Sequence, residues 1–146
     1  TDGVTQEVST LKIGGSNVYV FAGIGGPYWQ DSNDDGIVDA SDTPDADGAV
    51  GIALGDVDFG LAILDQADAE VVYTALKVSA GSATFVGLPD ALTFSLQNIT
   101  VSYNAATGPT TTAPPALDFS ALTGDDVFEV ATGNDPISFD FDSALL

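Results

Sequence analysis

Val50-Gly-Ile52-Ala-Leu54-Gly55-Asp56-Val57-Asp58-Phe59-Gly-Leu61-Ala-Ile63-Leu64 decides how this chain is read. Apolar residues alternate through Val50, Ile52 and Leu54, then through Val57, Phe59, Leu61 and Ile63, on opposite parity. Strand side chains point alternately to the two faces, so two such runs facing one core demand a corner, a hairpin or a bulge at Gly55-Asp56. The switch recurs. Leu11 and Ile13 give way to Val18 and Val20 across residues 14–17, and Leu76 and Val78 to Ala83 and Phe85 across residues 79–82. Leu92, Phe94 and Leu96 give way to Ile99, Val101 and Tyr103 at Gln97-Asn98.

Working outward, helix signals are poor. Short alternating runs of Val, Ile, Thr, Phe and Tyr, punctuated by 16 Gly and 7 Pro, read as strands and turns. Residues 65–70 read as a turn before Val71, Val72 and Tyr73. Two all-β architectures explain the parity switches. In one, each switch is a two-residue hairpin of an antiparallel β-sandwich, which suits Gly55-Asp56 and suits Gln97-Asn98 badly. In the other, each switch is the corner of a strand–corner–strand unit in a β-solenoid-like stack. Apolar units begin near Leu11, Val50, Tyr73, Leu92, Leu117 and Ile137. They lie about 20 residues apart once residues 31–48 are set aside as an insertion, within the range of repeat architectures. The solenoid is the favoured expectation and the sandwich its alternative.

The chain of 146 residues is read as one module, long enough to bury a core without staples. Its charge is lopsided: 22 acidic residues stand against Lys12 and Lys77, with no Arg, His or Cys. That surface repels phosphate backbones and anionic headgroups, so neither nucleic-acid binding nor membrane docking is expected. It attracts cations. Without His, Cys or Arg the chain has no imidazole base, no thiolate nucleophile and no bidentate anion clamp, and an enzyme is not expected. Cysteine-free, acidic, β-rich composition fits an exported protein. No apolar run reaches the length of a membrane span. No signal-peptide pattern opens the chain, so Thr1 is expected to follow processing or an excision boundary.

One segment carries chemistry. Asp31-Ser-Asn33-Asp34-Asp35-Gly36-Ile37-Val38-Asp39-Ala-Ser-Asp42 has the spacing of a calcium loop. Side-chain oxygens stand at positions 1, 3 and 5 (Asp31, Asn33, Asp35), and Gly36 permits the sharp turn. The Ile37 carbonyl falls at position 7, Asp39 at 9 and Asp42 at 12. Calcium takes six to eight hard oxygens at about 2.3–2.6 Å, and alternate residues of a tight loop converge on one point. Asp at position 12 resembles the calcium loops of dockerin-type modules. The continuation Asp42-Thr-Pro44-Asp45-Ala-Asp47-Gly48 is similar to the calcium repeats of thrombospondin type 3. Both resemblances stop at residues 31–48, and imply Asp45 and Asp47 as ligands of a second ion. Seven of the 22 acidic residues fall between Asp31 and Asp47. Unneutralised at ordinary screening lengths of about 8–10 Å, they would repel one another strongly.

The remaining chain, through Asn17-Val-Tyr-Val-Phe21, residues 57–63, residues 73–77 and Phe85-Val-Gly-Leu88 leading to Val101-Ser-Tyr-Asn104, resembles a repeat module of very long bacterial surface and extracellular proteins, adhesins among them. The resemblance implies a structural module linked to or stacked on copies of itself in a filament or surface layer. An alternative is a calcium-assisted carbohydrate-binding module, with Tyr28 and Trp29 stacking on a sugar beside the ion; the favoured reading of that pair is core or shelf aromatics covering the base of the loop. Further features read more plainly. Gly23, Gly25 and Gly26 are turn glycines, and residues 107–115 are a Thr/Pro-rich loop. Asp56 with Asp58, and Asp140 with Asp142, are exposed strand charges. Ile137, Phe139 and Phe141 share one face of a last strand, which serves the fold itself or a neighbour's sheet edge.

Overall fold

A computed structural model describes residues 7–89, 94–109, 114–121 and 127–145. Leu92, residues 110–113 of the Thr/Pro-rich stretch, Thr1 and Leu146 lie outside the described residues. The protein is all-β. Four long strands, β1 (Ser9–Ile24), β2 (Val50–Gln66), β3 (Val71–Val86) and β4 (Ser95–Thr107), form an antiparallel sheet in the order β1-β2-β3-β4. Two short strands, β5 (Phe128–Val130) and β6 (Ile137–Phe139), pair antiparallel, with Phe128 opposite Phe139 and Val130 opposite Ile137. The turn expected over residues 65–70 falls at 67–70: Asp65 and Gln66 still belong to β2, and Ala67–Ala69 form a 3-10 turn closed by Glu70 at φ 52°.

Among the described residues no closed solenoid is shown, and neither a hairpin nor a solenoid corner sits at the parity switches. Each strand runs on through its switch. β1, β2 and β4 pass through a single left-handed residue there: Asn17 (φ 54°), Asp56 (φ 56°) and Asn98 (φ 53°). Asn and Asp tolerate that conformation at least cost among non-glycine residues. One such residue resets which face the following side chains take, as a β-bulge does. In β2 the buried positions are 53, 55 and 57, then 60, 62, 64 and 66. The antiparallel sheets are compatible with the sandwich alternative.

The expected inward set is corrected. Apart from Val57 and Ala83, its described members are exposed or half-buried; the buried positions of β2 and β3 include Ala53, Gly55, Gly60, Ala62 and Ala75. Small residues let a covering segment approach the sheet backbone closely, and the large residues take the opposite face.

The chain divides into two compact units. The first comprises residues 1–14, 59–77 and 101–146. Its core is Ala62, Leu64, Ala75, Phe119, Val130, Phe139 and Phe141, with Tyr73, Leu117, Phe128 and Leu145 at its margin. Phe119 stands 5.5 Å from Phe139 and 5.1 Å from Phe128 between ring centres. Both lysines serve this unit. Lys12 Nζ donates to the Glu129 carbonyl (2.8 Å) and lies 3.9 Å over the Phe128 ring. Lys77 Nζ reaches the Ser138 carbonyl and pairs with Asp140 at 3.2 Å. Asn104, fully buried, donates through Nδ2 to the carbonyls of Leu117 (2.9 Å) and Ser143 (2.8 Å). Its backbone exchanges hydrogen bonds with Leu145. The last strand is thus paired within the chain, as the fold-serving reading expects.

The second unit comprises residues 15–58 and 78–100. The connection between β1 and β2 folds over its sheet. Ala49, Ala53 and Val86 form the buried cluster, with Phe21, Tyr28 and Trp29 packed against it. Gly25 takes φ +76°, and a side chain there would collide with the Gly48 carbonyl where the connection closes on itself.

Candidate functional site

Residues 31–42 belong to the second unit and lie between its two closing points, Tyr28 and Ala49. The base of the loop is aromatic. Trp29 Nε1 donates to the Val20 carbonyl (3.0 Å), and its ring meets Tyr19 and Tyr28 edge-on, each at 4.9 Å. Tyr28 stacks on Phe21 at 5.3 Å. The two rings considered for sugar contact are part of the packing that seats the loop.

From that base the loop is built by backbone N–H groups donating to its own side-chain oxygens. Asp31 Oδ2 accepts from Gly36 (2.8 Å) and its Oδ1 from Asp35 (3.1 Å). Asn33 Oδ1 also accepts from Asp35 (3.0 Å), and Asp35 Oδ1 from Ile37 (2.9 Å). Asp39 Oδ1 accepts from the N–H of Ser41 (2.7 Å) and its hydroxyl (2.6 Å). Asp42, buried, closes the ring. Its Oδ1 accepts from the Ser32 N–H (2.8 Å) and its Oδ2 from the Asp39 N–H (2.9 Å), tying position 12 to positions 2 and 9. Gly36 makes the sharp turn at φ +89°, directly after Asp35. Asp45 accepts from Asp47 N–H (2.9 Å) and Gln30 Nε2 (3.2 Å), outside the ring.

The electrostatics follow from these bonds. The Ser41 hydroxyl and N–H hold Asp39 below the usual carboxylate range. The Asp39 N–H, helped by Ser32, does the same for Asp42 against the opposing effect of burial. Tyr19 is shifted upward by burial first, then by the negative charges of Asp56, Asp39 and Asp42. Tyr19, Asp56, Asp39 and Ser41 line one hollow of about 560 Å³ with Asn17 and Ile37.

Among the described residues, no three His, Cys, Asp or Glu side chains are gathered as a metal-holding cluster. The donor set expected of this loop includes two groups outside that count, the Asn33 amide oxygen and the Ile37 carbonyl. Every expected donor is oxygen, which is the chemistry calcium takes and soft metals do not. Asp31, Asn33, Asp35, Asp39 and Asp42 are joined by one hydrogen-bonded loop; Asp45 and Asp47 form a separate turn. Sequence reasoning missed Ser32, Ser41 and Tyr19. The two serines carry the loop's internal bonds, but a hydroxyl between acidic residues gives no distinctive pattern. Tyr19 reaches the site only through folding.

Elsewhere the carboxylate pairs have structural partners. Asp58 Oδ1 accepts the Asn17 N–H (3.0 Å) beside the left-handed residue of β1, and Asp140 pairs with Lys77. No protein-family model matches the chain, and neither a curated protein nor a solved structure is significantly similar to it.

Proposed function

We propose that the chain is a calcium-binding structural module that works outside the cell, with residues 31–42 wrapping the ion and the β framework carrying no catalysis. The observation that supports this most is the ring of hydrogen bonds from Asp31 to Asp42. It fixes oxygens at positions 1, 3, 5, 9 and 12 of a loop that turns at Gly36, while each carboxylate keeps lone pairs for an ion. A second consideration is charge. The second unit contains ten aspartates and no Lys or Arg, so the countercharge for its acidic loop has to come from solution.

Calcium would neutralise part of the loop and stiffen its attachment through Tyr28 and Trp29. Extracellular modules bind at about 10⁻⁴–10⁻³ M, which suits external fluids. An ion bound only by the folded state stabilises by about 2.7 kcal/mol at a hundredfold excess over Kd. Thermal unfolding in millimolar calcium and in EDTA tests the reading. Chelation should lower the Tm, and the double variant Asp31→Ala, Asp35→Ala should unfold at one temperature in both solutions. A wild-type Tm that EDTA leaves unchanged sinks it. Self-association with copies of the chain completes the proposal, since a catalytically idle, charge-bearing module acts through assembly.

A further inference from the structure

In the second unit the acidic connection covers only one face of the sheet. Tyr19, Phe21, Ala53 and Val86 point toward Trp29, Tyr28 and Ala49. Strand alternation sends their neighbours the other way. Those neighbours include Val20, Ile52, Leu54 and Phe85, and the ring contact of Phe85 with Phe94 brings Phe94 and, two residues on, Leu96 to the same face. Five of these residues are 37–47% exposed, and Leu54 is half-buried. Phe85 and Phe94 meet edge-on at 5.1 Å, which fixes the aromatic end of the patch. Among the described residues this face carries no charged side chain, although the unit's sequence contains ten aspartates.

We propose that this face docks against the same face of a second copy, as the two sheets of a sandwich do. The proposal rests on the self-association part of the reading above and names its surface. Three arguments select a second copy. An isologous pair needs a self-complementary surface, and a neutral apolar sheet meets that condition without any partner charge. Face-to-face packing puts the two acidic loops on the outer sides, separated by two sheets about 10 Å apart, so screening at ordinary salt leaves little repulsion. The area is sufficient. Strands about 4.8 Å apart, rising about 3.3 Å per residue over about nine residues, give about 500 Å² per copy. A pair then buries about 1,000 Å², the lower bound for a specific interface. A concentration-dependent dimer is the expected state.

The test is sedimentation of the full chain, as wild type and as Ile52→Lys and Leu96→Lys, with calcium and with EDTA. Both variants reduce the net negative charge, so a lost dimer cannot be blamed on added repulsion. Both sites are exposed, and circular dichroism checks that the sheet survives. The wild type should show twice the chain mass, with the dimer fraction rising with protein and with salt. Each lysine should return it to a monomer. Because the chain has no cysteine, a nitroxide on Leu96→Cys should also report a second label across the interface. A wild type that stays monomeric at high concentration overturns the proposal, as does a dimer that ignores both lysines or weakens with salt. Recovery of monomers on phosphatidylcholine vesicles overturns it in favour of a lipid surface. The calcium-dependent Tm is read on monomer and dimer alike, so this docking can fail while the ion-binding reading stands.

Discussion

The described residues 117–121 and 127–145, which include the β5–β6 pair, and the loop of residues 31–42 are held in place by opposite means. The first packs four phenylalanines and Val130 on Ala62 and Ala75, and its polar anchors are two lysines and one amide. The second buries almost no apolar side chain of its own and is tied by N–H groups donating to carboxylates. Apolar burial has no titrating group and responds little to millimolar divalent ions; carboxylate hydrogen bonds respond to both pH and ions. One chain therefore joins a region held mainly by packing to a region held mainly by its carboxylates.

The largest effect belongs to the aromatic side. Phe139→Ala removes a ring that is 1% exposed, and such truncations cost about 3–5 kcal/mol. Urea unfolding should show that loss equally in calcium and in EDTA. A cost that tracks calcium would erase the contrast. On the acidic side the sign follows from Asp39 and Asp42, both held below their ordinary values. Folding holds them as carboxylates, so their contribution is present above the unfolded value of about 4 and is lost as pH falls through the folded values. Tm should fall on acidification in that window, and Asp42→Asn should flatten the fall; equal slopes for both proteins would show that other groups carry it. The smallest effect concerns Tyr19, whose phenol stays protonated above its ordinary pH near 10. Its contribution is complete below that pH and fades as pH rises through the folded value. Calcium beside Asp39 and Asp42 should move the titration back down, measured as the ultraviolet difference between wild type and Tyr19→Phe. An upward movement would place the ion elsewhere.

Much of this was legible in the residues. Parity switches located Asn17, Asp56 and Asn98 to within a residue or two, because an apolar pattern that changes phase must be reset by the backbone. The alternation of Ile137, Phe139 and Phe141 likewise marked a core strand. The form of the reset was not legible. A corner, a hairpin and a bulge leave the same trace in side-chain phase, and only the pairing of neighbours distinguishes them. The covered face was misjudged for a related reason. Large apolar residues ordinarily point inward, yet here Gly55, Gly60, Ala62 and Ala75 lie beneath the covering segments, since close approach selects small size over hydrophobicity. For the site, spacing alone marked Asp31, Asn33, Asp35, Asp39 and Asp42, because the loop is local in sequence. Tyr28 and Trp29, adjacent to the loop in sequence, were legible as aromatics covering its base; Tyr19 and Phe21 were not, because they arrive from β1.

Lys12 and Lys77 hold a further consequence. They are the chain's only basic side chains, hence the only residues after which trypsin can cut, and both reach across to the β5–β6 hairpin. A protease needs the lysine and its neighbours drawn out of the sheet, so a cut requires both release of the hairpin contact and opening of the strand that carries the lysine, β1 or β3. The rates of the two tryptic cuts then compare the opening of an edge strand with that of an interior one, without any added label.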